Sequence, residues 1–238
     1  MTDEMKTTRG KTPGTWKMLI YGTPGCGKST LATSAPSPFF IDLEAGLDRV
    51  DCWKTEDRVT TYEGFISALR WATGNPEIKT VVVDTLDELD GILTRLVCER
   101  EKKQTLTDIP YGKGGDLLVN EWMKIISIFE AMKSMGKNVL LIGHEQVVRF
   151  ENPTTESYDR YQLKIHKKSV QVVVAKMDAV LFARYETHVK SKEDGRGKRA
   201  IGGDRVLHCL ETPSIIAKNR FDLPDVIPMN ADLFEQIV

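Results

Sequence analysis

Several things are missing from this sequence, and each absence removes a class of protein. No run approaches the roughly eighteen apolar residues that a membrane-crossing helix needs, and the chain opens on polar residues with no apolar signal segment. The four cysteines, Cys26, Cys52, Cys98 and Cys209, are scattered, with no C-x-x-C pair and no metal-ligand spacing. That excludes a cysteine-held zinc site or a disulfide scaffold and fits a reducing cytoplasm. Charge of one sign is lacking too: 33 Lys and Arg stand against 34 Asp and Glu, a net charge of -1. Any contact with a polyanion must therefore come from local basic segments and not from the field of the whole molecule. No internal repeat is apparent. What is present is 238 residues, 41% hydrophobic and 28% charged, enough for one large α/β domain with a full core.

The most informative segment is Gly22-Thr23-Pro24-Gly25-Cys26-Gly27-Lys28-Ser29, continued by Thr30. It is a complete phosphate-binding loop, set between an apolar strand-like run, Met18 to Tyr21, and a helix-like run, Ser29 to Ala35. The glycines let successive backbone N–H groups turn inward as an anion nest, Lys28 reaches the β- and γ-phosphates, and the Ser29 hydroxyl can hold Mg²⁺. The ligands this predicts are ATP and Mg²⁺. A mere glycine-rich turn is the alternative.

Residues 1 to 15 are polar, with Gly10, Pro13 and Gly14, and read as a flexible arm. Phe39 to Leu43 is a short apolar strand that delivers Asp42 and Glu44 to an edge of the sheet. Thr60 and Glu63 form a capping-box pair opening a helix through about Ala72, with Phe65, Ile66 and Leu69 on its inner face. Thr80 to Asp84 suits a central parallel strand buried on both faces. Helices are expected over Leu86 to Arg100 and Asp116 to Met135; the second carries Leu118, Trp122, Ile125, Phe129 and Met132 as a core stripe. Between them, Lys102 to Gly115 is too polar and glycine-rich to pack and reads as a mobile loop. Val139 to Ile142 is another buried strand, after which the chain runs polar from Gly143 to about Lys168. Asp178 to Tyr185 and Arg205 to Leu210 read as strands joined by Lys190 to Gly203, where Lys190 to Arg199 hold five Lys or Arg against two acids.

The expected fold is α/β, a mostly parallel central sheet flanked by helices with right-handed crossovers and a C-terminal β-hairpin extension. The core is expected over residues 16–224, with a tail over 225–238, and nucleotide at the carboxyl ends of the strands.

A triphosphate site needs a cradle, a cation ligand, and a group that positions and deprotonates water. Asp84, ending its apolar strand, is the expected Mg²⁺ partner beside Ser29, unless it is only a helix N-cap. Thr85 follows Asp84 directly, so a base must come from another strand end, and Glu44 sits on one; a surface loop acid is the alternative. His144 ends the next strand and could hydrogen-bond the γ-phosphate, with Gln146 as substitute, or could be a satisfied core histidine. Beyond it Arg149, Phe150, Tyr158, Arg160, Tyr161, Lys164, His166, Lys167 and Lys168 interleave cations with aromatics, as single-stranded nucleic acid requires. A solvated surface loop has the same composition.

The phosphate loop, Glu44, Val81 to Asp84 and Lys218-Asn219-Arg220 together resemble the RecA-like ATPases. More specifically, they look like the phage-encoded single-strand annealing ATPases that consist of a bare recombinase core, over residues from about 16 to 224. The resemblance implies that Glu44 activates water, that Asp48 contacts adenine, and that His144 is a phosphate sensor leading into the second DNA-binding loop. Lys102, Lys103 and Lys113 would belong to the first DNA-binding loop. Lys218 and Arg220 match the pair that reaches into a neighbouring subunit's ATP site. The implied partners are single-stranded DNA, further copies of the chain in a ring or filament, and a single-strand binding protein as an additional candidate. With no separate amino-terminal DNA-binding domain and no large carboxyl-terminal domain, annealing is expected over strand exchange. Two rivals stand beside this. An AAA+ helicase loader or remodeller would place an acidic pair after the apolar strand and carry a helical lid with an arginine, which Asp84-Thr85 and the β-rich end argue against. A small-molecule kinase would use Asp42 or Glu44 on its acceptor.

Overall fold

The short apolar runs become parallel strands that are covered by helices on both faces. The computed structural model describes residues 9, 14–151, 156–191 and 198–237, so most of the predicted N-terminal arm lies outside the described residues. In chain order come β1 (Lys17–Gly22), α1 (Lys28–Ala32), β2 (Pro38–Asp42), β3 (Trp53–Lys54), α2 (Tyr62–Gly74), β4 (Thr80–Asp84) and α3 (Leu86–Arg100). Then follow α4 (Gly114–Ser134), β5 (Asn138–Phe150), β6 (Tyr158–Leu163), α5 (Lys167–Lys176), β7 (Ala179–Ser191), β8 (Lys198–His208), β9 (Lys218–Asn219), β10 (Val226–Pro228) and α6 (Asp232–Gln236). The sheet order is β10-β8-β7-β1-β5-β4-β2-β3, with β6 on β5 and β9 on β7. β1, β5, β4 and β2 are mutually parallel, and β7 is parallel to β1.

Period-two alternation sends each strand's apolar residues to two separate clusters. Leu19, Tyr21, Val81, Val83 and Leu141 face α2 to α5 with Trp122 and Phe129, while Met18, Ile20, Val82 and Leu140 face α1 and α6 with Leu31 and Phe234. The stripe expected on α4 is core: Leu118, Trp122, Ile125, Phe129 and Met132 are all buried. The Trp122 indole N–H is satisfied by Asp90 Oδ1 at 2.7 Å, so its ring is buried without an orphaned donor.

Four expectations change. The first turn of α2 is capped by Thr61, whose hydroxyl accepts from Gly64 N at 3.1 Å, one residue beyond the Thr60 and Glu63 box. Lys102 to Gly115 is ordered into two short 3₁₀ turns, Leu106–Asp108 and Pro110–Gly112, with Ile109 buried. A side chain at Gly114 would place its Cβ 2.2 Å from Leu106 O; those glycines permit close packing here instead of slack. The polar stretch after Ile142 is a β-hairpin, because β5 runs on to Phe150 and pairs antiparallel with β6; its residues 152–155 lie outside the described ones. The expected tail, finally, is core: β10 pairs with β8, and Phe234 stacks on Trp16 with ring centroids 5.8 Å apart. The C-terminal hairpin extension is present as β7 and β8, although residues 192–197 of its connection fall outside the description.

Candidate nucleotide site

Parallel register brings the expected groups to one edge. Gly22 stands beside His144, Asp84 beside Ile142 and Asp42 beside Asp84, so the ends of β1, β5, β4 and β2 form one row. At the end of β1 the loop must be glycine for steric reasons: a Cβ on Gly22 would lie 1.9 Å from Ala183 O. At Gly27 the backbone has φ +96°, a left-handed conformation that L side chains resist. The Lys28 ammonium folds back on the loop, donating to Gly22 O at 3.0 Å and Thr23 O at 2.9 Å. Thr23 Oγ1 donates to Glu145 Oε1 at 3.1 Å, which ties the loop to β5.

Asp84 is not a helix cap. Thr85 occupies that position, and the Asp84 carboxylate accepts from Ser29 Oγ at 2.6 Å. Burial pushes the Asp84 carboxyl up to about 6, with the hydrogen bond from Ser29 pulling the other way and Glu44 and Asp42 adding to the rise. A carboxylate this reluctant to ionise, held against a hydroxyl, is suited to a cation that restores the charge balance. Thr85 Oγ1 beside it is buried with no hydrogen-bond partner among the described residues. Ser29 and Asp84 thus offer two oxygens that would hold a magnesium ion, which would supply neutralisation of phosphate charge.

Glu44 is aimed by its neighbour. The Asp42 carboxylate accepts from the Glu44 and Ala45 amides at 3.1 and 2.7 Å, and Ala45 takes φ 63°, an Asx-type turn that bends the chain back at the sheet edge. Glu44 Oε2 then lies 4.0 Å from His144 Nε2. The opposite ring nitrogen, Nδ1, is 2.9 Å from Asp87 Oδ2, and Asp87 Oδ1 accepts from the His144 amide at 3.2 Å. The ring hydrogen bond between Nδ1 and Asp87 raises the His144 pKa against the opposing effect of burial. Burial would raise Asp87, yet its bonds with His144 outweigh that and hold it low. With Nδ1 engaged, Nε2 is the nitrogen turned toward Glu44.

Five expected residues therefore converge: Lys28, Ser29, Glu44, Asp84 and His144. Others do not. Asp48 is 88% exposed and 3.7 Å from Lys54. Gln146 donates to Leu163 O at 2.9 Å, so it fastens β6 instead of substituting for His144. Arg149, Arg160 and Lys164 lie on or beside the β5–β6 hairpin, with Arg149 3.4 Å from Asp159, Arg160 bound to Glu211 and stacked over Phe150 at 5.5 Å. Lys167 and Lys168 begin α5, where Lys168 pairs with Asp116. Lys102 and Lys103 follow α3 and are exposed, and Lys113 lies 5.7 Å over the Tyr111 ring. Lys218 Nζ donates to Ala175 O at 2.7 Å at the end of α5, and Arg220 is 3.5 Å from Asp178, whose amide bonds Lys17 O. Both therefore sit at the start of β1, a strand length of roughly 16–20 Å from the phosphate loop. Sequence reasoning missed Asp87, Glu145 and Arg205. Asp87, three residues beyond Asp84 in the first turn of a predicted helix, was findable; the other two carry no local signal.

A loop whose Gly22 and Gly27 must be glycine on geometric grounds, a lysine inside it and a serine bonded to an aspartate from the second strand over define a P-loop nucleotide-binding protein. Residues 15–221 match the family described as an AAA domain, and the chain belongs to that family. No curated protein matches it. Among solved structures it is similar to a KaiC-like protein, PH0186, from the hyperthermophilic archaeon Pyrococcus horikoshii OT3, at 12% identity and a TM-score of 0.39, over 82% of this chain and 78% of the other. The family match bears on the ATPase class and says nothing of annealing. No helix among the described residues is long and apolar enough to cross a membrane.

Proposed function

We propose that the chain is a Mg²⁺-dependent ATPase whose turnover is coupled to single-stranded DNA held on the β5–β6 hairpin. The observation that carries this reading is a single strand: β5 sets His144 beside Gly22 and continues without a break to Phe150. Loop amides, Lys28, Ser29 and Thr30 bind the phosphates, and Ser29 with Asp84 would hold the cation, which supplies neutralisation of phosphate charge when bound. Glu44 orients water and takes its proton; His144, oriented by Asp87, donates toward the terminal phosphate from Nε2. Exposed Phe150 offers a stacking face and exposed Val147 an apolar contact, with Arg149 beside them for phosphate and Arg160 packed over the Phe150 ring, contacts of the kind single strands use. Lys102, Lys103 and Lys113 add exposed cations on the segment between α3 and α4. Arg220, exposed at the far edge, is available to a second copy, in keeping with self-assembly and strand annealing, with a single-strand binding protein as further partner.

Purified protein with ATP and Mg²⁺ tests this with and without oligonucleotides at low salt. Stimulated phosphate release with single strands is expected. Hydrolysis indifferent to DNA would remove the DNA half of the proposal, and no nucleotide binding at all would remove the ATPase. Membership in the AAA-domain family favours one rival, a remodelling ATPase or helicase loader, which a protein partner and not DNA would stimulate.

A further inference from the structure

Arg205 was not singled out by any motif, yet it occupies the phosphate loop. β7 places Ala183 beside Gly22, and two residues further on, Tyr185 pairs with Arg205 of β8. A register shift in the β7–β8 ladder falls between Tyr185 and Thr187, the kind of irregularity that re-aims side chains at the rim of a sheet. Arg205 Nη1 lies 2.4 Å from where a Cβ on Gly27 would be. Gly27 is thus glycine for two independent reasons, its backbone conformation and the guanidinium seated against it. Arg58, Arg100, Arg149, Arg160 and Arg220 each pair with a carboxylate. Arg205 is exposed, and although its backbone carbonyl accepts from Met229 N, its guanidinium has no hydrogen-bond or ion-pair partner among the described residues. A cation with no counter-ion among the described residues, resting against a nest of backbone N–H dipoles, is electrostatically unfavourable until an anion enters between them.

Resting on the nucleotide reading above, we propose that Arg205 is a phosphate clamp acting within its own chain, closing from the β7–β8 extension onto the polyphosphate that Lys28 holds from the opposite side. Its planar fork suits two phosphate oxygens at once, which an ammonium cannot match. The charge needed at the phosphates then comes partly from the same subunit, independently of Lys218 and Arg220 at the far edge.

The test uses the full chain, a fluorescent ATP analogue with Mg²⁺, and unlabelled ATP or inorganic tripolyphosphate as competitor. Arg205→Ala is expected to weaken both competitors by at least about tenfold and to the same degree, since the contact is with phosphates. Arg205→Lys should recover part of that loss, and neither change should move the melting temperature of the ligand-free protein appreciably, the side chain being exposed. Wild type that fails to bind the analogue overturns the nucleotide reading and this one together. Wild type that binds while Arg205→Ala matches it overturns this one alone. Mixing Arg205→Ala with Lys28→Ala chains should restore no hydrolysis; recovery would show that the arginine serves a neighbour and overturn the proposal.

Discussion

Asp84 ionises against its surroundings. The unfolded carboxyl titrates near 3.8 and the folded one near 6, so the folded state binds the proton more tightly and loses stability as pH rises through that interval. At neutral pH the cost is up to about 3 kcal/mol, at roughly 1.4 kcal/mol per pKa unit. Asp84→Asn keeps an acceptor for Ser29 and removes the charge. Denaturant unfolding without Mg²⁺ or nucleotide should show the variant more stable at pH 7.5 and the gain shrinking toward pH 5, while ATP turnover is lost. The His144 and Asp87 pair contributes stability instead of costing it. A histidine raised by its partner contributes stability that is fully present below its unfolded pKa near 6.5 and fades as pH rises through the folded value; a lowered aspartate contributes above about 3.8. His144→Gln should therefore destabilise more at pH 5.5 than at pH 8.5, read as the difference in unfolding midpoints; an equal deficit at both would mean that the charged pair contributes nothing. Glu44→Gln should leave nucleotide affinity intact and slow single-turnover hydrolysis by about a hundredfold or more if the carboxylate takes the proton. Unchanged turnover would remove Glu44 from the mechanism.

Among the elements, β5 is one whose length the sequence conceals, as it also conceals the reach of β7 to Ser191 and the start of β8 at Lys198. The first half of β5, Asn138 to Gly143, is buried throughout, and its second half runs from half-buried at His144 to exposed at Arg149 and Phe150. Only the first half reads as a strand in isolation, because polar residues in an exposed two-stranded ribbon have the composition of a loop. The second half is held by its ladder to β6 and by ring contacts such as Phe150 to Tyr158, 5.3 Å between centroids. If the hairpin carries single-stranded DNA, replacing both Phe150 and Arg149 by alanine should weaken oligonucleotide binding by at least about tenfold, each stacked base being worth roughly 1–3 kcal/mol, and lower the salt dependence of binding. The DNA-free ATPase rate should be unchanged. Lys102 to Gly115 errs in the same direction: glycine there permits the approach of Gly114 to Leu106, and a local reading cannot tell that use of glycine from flexibility.

For the molecule as a whole, the last residues matter more than their position suggests. Leu233, Phe234 and Ile237 close the cluster on the α1 face, beside the helix that follows the phosphate loop. Phe234→Ala should cost about 3–5 kcal/mol, measured as a drop in the denaturant midpoint with unchanged slope; a surface tail would show almost no change. The sequence alone determined the sheet's parallel core, the loop that grips phosphate and the acids at two strand ends, because these depend on short-range patterns: apolar runs, glycine spacing, a terminal carboxylate. Which distant residues meet at that edge was decided only by tertiary structure. Asp87 under His144, Glu145 on Thr23 and Arg205 over Gly27 are set by strand order and register, which depend on how two apolar faces are covered and leave no mark in the residues adjoining each side chain.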